Sequence, residues 1–495
     1  MAQPVIDKAT FAGGLNTVSD PAALAPSQAR QLGNARLTVY GSATRRGGTR
    51  TCLSAAVSTS STGNVGIYWP LKGKVCVVAG STQTLFTASP PASFTTTWTM
   101  TMDAGRAFKA LSLAIFTDGT NEVLYGESQA GGLYKWDGTT STAVTANSPV
   151  ACNGIVAYDA RLWGWNSAAS PNSVFYSALN NGDTLGIPAS GGGQIAISTY
   201  GDEPIVSCAA VGASLLIFHR QGISRLTGFG QSDLSVSPQP ATRDLFICGQ
   251  NAVTVYHNAA WVQTAQGLYQ VTEGGATPIG TPQTPDPTIA AVAACASPTL
   301  IHVYAAQNTF EIWVIIPGTG VYAYHVLLGA WSGPFNGAIF ANAAPSLPFA
   351  IKETTANLYQ RTVMAPDTNG LMWEVDSPDW FTDATNADGT GGSAYAMTLQ
   401  ARRMFGEDRS YSKAWRWANV TAALTAGATA PTCVVQSMLG GASTSTFTTP
   451  MAAQCIYYQP GGGVGPFEDV TIIDTASAAS EYFMVEAQGT LLGQR

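Results

Sequence analysis

The chain has few charged side chains for its length of 495 residues: Asp, Glu, Lys and Arg make up 11%, where about 25% is usual in soluble proteins. Coiled coils and helical bundles are rich in these residues, so the shortage argues against both. Intrinsic disorder is also excluded, because it requires low hydrophobicity and 45% of this chain is hydrophobic. A large, weakly charged surface favours a subunit that is buried in an assembly.

Sequence signatures of catalysis are also missing. The chain contains no G-x-S-x-G nucleophile elbow and no G-x-x-x-x-G-K-[ST] phosphate loop. Its four histidines are far apart and form no metal-binding motif: His219, His257, His302 and His325. We therefore predict no catalytic residues, no metal, no cofactor and no enzymatic activity.

Paired cysteines and long apolar segments are missing as well. No C-x-x-C pair occurs, which predicts free thiols in a protein made in a reducing compartment. The N-terminus lacks the pattern of a secretory signal, so we expect no signal peptide. The most apolar stretch, 312–331, is interrupted by Pro317 and Gly318, so we predict no membrane segment. The eight cysteines are Cys52, Cys76, Cys152, Cys208, Cys248, Cys295, Cys433 and Cys455.

A hairpin pattern recurs through most of the chain. In each copy, an apolar run rich in β-branched or aromatic residues leads through a polar or glycine-containing turn into a second apolar run. The copies begin about 46 residues apart on average, close to the length of a four-stranded propeller blade. We predict an all-β protein with a β-propeller of about six blades, and an array of β-sandwiches is the alternative. The copies are 75–87, 113–126, 155–166, 215–227, 259–272, 312–326 and 349–362.

The regions outside this pattern suggest the domain organisation. Residues 1–50 are predicted to be an N-terminal docking segment, with a short helix that has Ser27 as its N-cap and ends before Gly33 or Asn34. Residues 51–375 form the propeller, 376–393 a polar, glycine-rich linker, and 394–495 a C-terminal β-sandwich-like domain.

The N-terminal segment differs from the rest of the chain in charge. The whole chain has a net charge of −7, whereas the first fifty residues carry six Lys or Arg and two Asp. Arg45, Arg46 and Arg50 have three readings: a docking surface for an adaptor or neighbouring subunit, a contact with DNA phosphate, or a plain exposed loop. A second basic stretch offers Arg402, Arg403 and Arg409 to a neighbour's carboxylates, and its interleaved tryptophans leave single-strand binding open.

Carboxylates gather around the predicted linker, at Glu374, Asp376, Asp379, Asp383 and Asp388. A solvated linker is the favoured interpretation. A weak alternative is an ion site in which Asp379, Asp383 and Asp388 supply oxygen ligands, and an acid–base pair of a propeller glycosidase is a further one.

A characteristic set of residues opens the chain: 11–17 (FAGGLNT), Pro21, Leu24, Gln28, Ala29, Leu32, Asn34, Arg45, Arg46, Gly47 and Arg50. Further along come residues 160–163 (ARLW), 172–177 (NSVFYS) and 215–228. The opening set resembles the start of the tail nozzle, or tail tubular, proteins of short-tailed bacteriophages, and the later segments resemble strand elements of the same family.

The resemblance implies a β-propeller subunit of the virion tail, assembled in the host bacterial cytoplasm. Such subunits form a homo-oligomeric ring, a hexamer, below the portal and adaptor proteins, and they also meet tail fibre or tip proteins. The ring encloses the channel through which the genomic DNA leaves. The DNA passes through this channel without sequence-specific binding. We expect the acidic body to face this channel, because it repels phosphate. A tail-tip or host-receptor-binding propeller is the alternative, and the family supplies no catalytic residues.

Overall fold

The fold is mostly β-structure, with 55% strand and 5% helix in the computed structural model of the chain. Every structural statement below concerns the residues that the structure describes. These are 4–57, 64–79, 83–90, 97–146, 148–228, 233–240, 242–337, 339–340, 346–352, 360–367, 369–377, 382–384, 392–405, 412–426, 428–438, 442–447 and 454–493.

Six short strands lie in the first fifty-one residues. The predicted helix beginning at Ser27 is wrong, because residues 28–33 form a strand. Ala29 and Leu32 of this strand are fully buried, and its backbone pairs with strands on both sides, so tertiary packing overrides the local helix signal. The strands are β1 (Pro4–Ala9), β2 (Gly14–Leu15), β3 (Gln28–Gly33), β4 (Ala35–Leu37), β5 (Ala43–Arg45) and β6 (Gly48–Thr51).

Six propeller blades follow, each made of four consecutive antiparallel strands. Blade 1 contains β7 (Val65–Trp69), β8 (Lys74–Ala79), β9 (Thr84–Ala88) and β10 (Thr101–Ala107). Blade 2 contains β11 (Ser112–Thr117), β12 (Glu122–Ser128), β13 (Gly132–Trp136) and β14 (Ser141–Ala143). Blade 3 contains β15 (Cys152–Tyr158), β16 (Arg161–Ser167), β17 (Ser173–Tyr176) and β18 (Gly193–Ala196).

The remaining three blades repeat this arrangement. Blade 4 contains β19 (Ile205–Val211), β20 (Ser214–His219), β21 (Gly222–Thr227) and β22 (Ser235–Pro238). Blade 5 contains β23 (Val253–Tyr256), β24 (Ala259–Thr264), β25 (Gly267–Thr272) and β26 (Gly275–Pro278). Blade 6 contains β27 (His302–Ala306), β28 (Glu311–Ile316), β29 (Gly320–His325) and β30 (Ala330–Phe335).

A composite sheet closes the circle of blades. It contains β31 (Pro348–Lys352), β32 (Gln360–Met364) and β33 (Trp373–Ser377), and the N-terminal β6 supplies its fourth strand. The first strand of each sheet contacts the first strand of the next, and β31 contacts both β27 and β7. The predicted propeller is therefore confirmed, and each of the seven hairpins identified in the sequence lies in a different sheet of the circle.

The C-terminal strands build a β-sandwich, as predicted, but N-terminal strands share in it. One layer, called here the outer sheet, has the order β4-β5-β42-β37-β40, with β1 also paired to β42. The other layer joins β30 of blade 6 to β3, β36, β41, β38 and β39 in one continuous sheet. The C-terminal strands of the two layers are β36 (Met397–Ala401), β37 (Ser412–Leu424), β38 (Thr432–Ser437), β39 (Ala442–Thr446), β40 (Cys455–Gly465), β41 (Glu468–Asp474) and β42 (Ser480–Gly493). Two further strands, β34 (Thr382–Ala384) and β35 (Gly392–Ala394), extend the closing sheet beyond β6.

Alternating side chains of the two layers meet in one core. Val420 and Val485 of the outer sheet pack with Leu399 and Ile472 of the opposite layer, as the two-residue period of facing strands requires. Residues of blades 5 and 6 belong to the same core. How the chain divides into independently folding units, and therefore the boundaries at 50, 375 and 393, stays a prediction.

Helical structure is sparse in the described residues. One α-helix, α1 (Thr288–Ala294), follows blade 5, and short 3₁₀ turns occupy Gly182–Thr184, Pro188–Ser190, Pro298–Leu300 and Gln307–Thr309. Among the described residues, no helix is long and apolar enough to cross a membrane. All eight cysteines are free, as predicted, and five of them are buried.

Candidate functional site

The arginines predicted to form a docking surface face inward. The side chains of Arg45 and Arg46 are completely buried, and that of Arg50 is nearly so. This contradicts the expectation of an exposed basic surface. Each guanidinium is paired with a carboxylate of the same chain, because a charge buried in the joint between propeller and sandwich requires a partner of opposite charge.

Arg46 lies at the centre of this joint. Its Nη1 lies 2.9 Å from Oδ1 of Asp383, and its Nε donates to Oδ1 of Asn34 at 3.0 Å. The guanidinium also lies over the ring of Tyr395, 3.8 Å from its centroid. One side chain thus links the N-terminal segment to the stretch between closing sheet and sandwich.

Arg36 and Arg50 bind the N-terminal segment to the propeller. Arg36 Nη2 lies 2.6 Å from Glu311 Oε2 of blade 6, and Nη1 also pairs with Asp376. Burial alone would lower the pKa of Arg36, but Asp376 and Glu311 raise it above its ordinary value. Burial raises the pKa of Asp376, and Arg36 opposes that change.

Glu374 is shared between two arginines. Its Oε2 lies 2.6 Å from Arg50 Nε, and its Oε1 lies 3.1 Å from Arg361 Nη1 on β32. Arg50 belongs to β6, the strand that completes the closing sheet. The ion pairs therefore reinforce the strand pairing by which the N-terminal segment closes the propeller.

Arg45 binds the sandwich instead of the propeller. Its Nη1 lies 3.2 Å from Asp474 Oδ1, at the end of β41. The other oxygen of Asp474 accepts hydrogen bonds from Ser480 and Tyr482. Arg36, Arg45, Arg46 and Arg50, with their carboxylate partners, are called the arginine seam below.

Three of the carboxylates predicted to be a solvated linker or a weak ion site, Glu374, Asp376 and Asp383, are partners of this seam. Asp383 binds Arg46 and accepts a hydrogen bond from Thr49, so its carboxylate is engaged within the chain. Asp379 and Asp388 lie outside the described residues. No group of three or more His, Cys, Asp or Glu side chains that would suit a metal ion occurs in the described part of the chain.

The second basic stretch is likewise bound within the chain where the structure describes it. Arg402 pairs with Asp7 of β1, and Arg403 Nη2 lies 3.0 Å from Asp469 Oδ2 of β41. Arg403 also lies over the ring of Phe467. Arg409 lies outside the described residues, so its predicted docking role is not addressed.

The conspicuous residues of the opening segment hold structural positions. Gly14 has a φ of +71°, and a Cβ there would lie 2.6 Å from the carbonyl oxygen of Trp331, so only glycine fits. Phe11 is fully buried. Asn34 donates from Nδ2 to the carbonyl of Ala396, and its Oδ1 accepts from the backbone N–H of Asn336.

A cavity of 570 Å³ opens beside the seam. Arg36, Arg45 and Arg361 contribute to its lining, and so do Glu374, Asp376 and Glu481. The three arginines are already paired with carboxylates, so the cavity lining has balanced charge. Its position identifies it as the gap left where propeller, N-terminal segment and sandwich meet.

Two buried titratable groups lie far from the seam. Burial raises the pKa of Glu127 to about 8, while its Oε1 accepts from the Cys152 backbone N–H of the next blade at 3.1 Å. Burial lowers the pKa of His219 to about 4, and its Nε2 lies 3.0 Å from Ser224 Oγ. Neither faces a second catalytic group in these contacts.

The opening of the propeller is crossed by a pair of amides. Asn153, on the first strand of blade 3, donates to Oε1 of Gln250 at 3.1 Å, and Gln250 precedes the first strand of blade 5. Because first strands surround the propeller axis, this hydrogen bond spans part of the central opening.

Comparisons with known proteins show likeness in fold at low identity. No family model and no curated protein sequence matches the chain. PorZ, a bacterial surface component of the type-IX secretion system of Porphyromonas gingivalis, is 12% identical with a TM-score of 0.42, over 79% of this chain and 54% of that one.

Two extracellular domains from B. thetaiotaomicron are similar to the same degree. One, of a one-component system, is 12% identical with a TM-score of 0.43, over 70% of this chain and 42% of the other. The second, of a hybrid two-component system, is 11% identical with a TM-score of 0.40, over 72% and 45%. The chain spans about half the length of these three structures or less, and at these values the likeness does not indicate what this chain does.

Proposed function

We propose that the chain is a structural subunit of a bacteriophage tail. In this role it forms a ring, the nozzle, below the portal and adaptor, encloses the DNA exit channel, and helps to retain and then deliver the genome. The ring is a hexamer of this chain, and tail fibre or tip proteins are further partners. The subunit has no enzymatic activity and resides in the virion.

The observation that carries this proposal is the role of the opening segment. The residues that resemble the nozzle family, among them Gly14, Asn34, Arg45, Arg46 and Arg50, hold the propeller and the sandwich together. The resemblance therefore covers the residues on which this two-part architecture depends. A shared architectural signature is a stronger basis for a family proposal than a shared surface loop.

The arginine seam also fits passage of DNA without adhesion. Phosphate affinity comes from accessible Lys and Arg side chains. Arg45 and Arg46 are buried against carboxylates, so the positive charge of the N-terminal segment is neutralised inside the chain. With a net charge of −7, the chain repels a passing polyanion.

The test is direct imaging of assembly. The purified chain is measured by mass photometry and negative-stain electron microscopy, alone and mixed with a portal–adaptor complex. We expect six-membered rings, or rings that appear only with the adaptor. A chain that stays monomeric, ignores the adaptor and binds host cells would overturn the nozzle assignment and favour a receptor-binding protein.

A further inference from the structure

We draw no further inference here: the strongest candidate, the polar cavity of 770 Å³ beside blade 4, between the loop that leads into β19 and the loop that follows β22, carries nothing, because the two buried acceptors of its lining residues that have no hydrogen-bond donor in the described part of the chain, Glu203 Oε2 and Gln239 Oε1, lie out of a ligand's reach, and nothing in the structure shows what the cavity would hold.

Discussion

Arg46 and Asp383 form a two-pronged ion pair although 337 positions separate them in the chain. Arg46 follows β5, and Asp383 lies in β34, which extends the closing sheet beyond β6. Their pairing places the first strands of the chain between the last strands of the propeller and the sandwich. The basic N-terminus and the acidic stretch after the propeller therefore form one set of ion pairs, and not two separate sites.

Replacing Arg46 by Ala should destabilise the fold by about 3–5 kcal/mol, because Asp383, whose side chain is only 14% exposed, loses its charge partner. The measurement is the urea midpoint followed by tryptophan fluorescence. Arg30→Ala is the control: that side chain is partly exposed, and its Nη1 lies 3.5 Å from Asp469 Oδ2, so the loss should stay below about 1 kcal/mol. Equal midpoints for both variants would contradict the structural role of the seam.

Two glycines of the opening segment should respond differently to Ala. Gly14→Ala places a Cβ within 3 Å of the Trp331 backbone at a positive φ, so we expect a loss of several kcal/mol or failure to fold. At Gly33 the nearest atom to an added Cβ is 3.8 Å away, and Gly33→Ala should be tolerated. Thermal melting of the pair tests this, and a stable Gly14→Ala chain would refute it.

Glu127 should make the folded chain less stable as the pH rises. Burial raises its pKa in the folded chain from 4.5 to about 8, so the folded state retains a proton that the unfolded chain releases. Its contribution is fully present below about pH 4.5 and is lost as the pH rises through 8, by at most about 1.4 kcal/mol per unit. Unfolding midpoints across this window should fall more steeply for the wild type than for Glu127→Gln.

Asp118→Asn is the control for this effect. Asp118 lies in a turn, and hydrogen bonds from the backbone N–H groups of Asn121 and Thr120 lower its pKa. This variant should therefore keep the wild-type slope between pH 5 and 8. Parallel slopes for the wild type and Glu127→Gln would show that Glu127 is already ionised in the folded chain.

The eight cysteines should all titrate as thiols in denaturant without added reductant. In the folded chain the five buried cysteines should react far more slowly than they do in denaturant. The thiolate is the reactive form, and burial raises the pKa of Cys76 and Cys433 to about 12. Absorbance with a thiol-exchange reagent follows the reaction. Fewer than eight thiols in denaturant would reveal a disulfide.

The propeller could be predicted from the sequence because its signal is local. A hairpin such as 312–326 carries both apolar runs and the turn between them within fifteen residues, and the structure places β28 and β29 there with the turn between them. The short helix predicted from Ser27 failed for the opposite reason. Its capping signal is also local, but β3 is held by strands β36, β30 and β2, which the local sequence does not show.

The sequence did not show which arginine of the seam pairs with which carboxylate. Arg50 and Glu374 were both conspicuous, yet more than three hundred residues separate them, and no periodicity connects the two. A signal did exist: an excess of positive charge before the propeller and of carboxylates after it. The closure of a propeller by its N-terminal strand would have joined these two ends.

The pairing of β1 with β42 has a consequence for synthesis. Val5 lies opposite Gly489, so β1 finds its partner strand 484 residues further along the chain. At about 5–20 residues per second, the ribosome takes on the order of half a minute or more to deliver that partner. During this interval β1 has no partner strand, and β6 must wait for β33. The nascent chain can complete single blades as they emerge, but it cannot close the circle before β33 is made, and it cannot complete the sandwich before β42 is made.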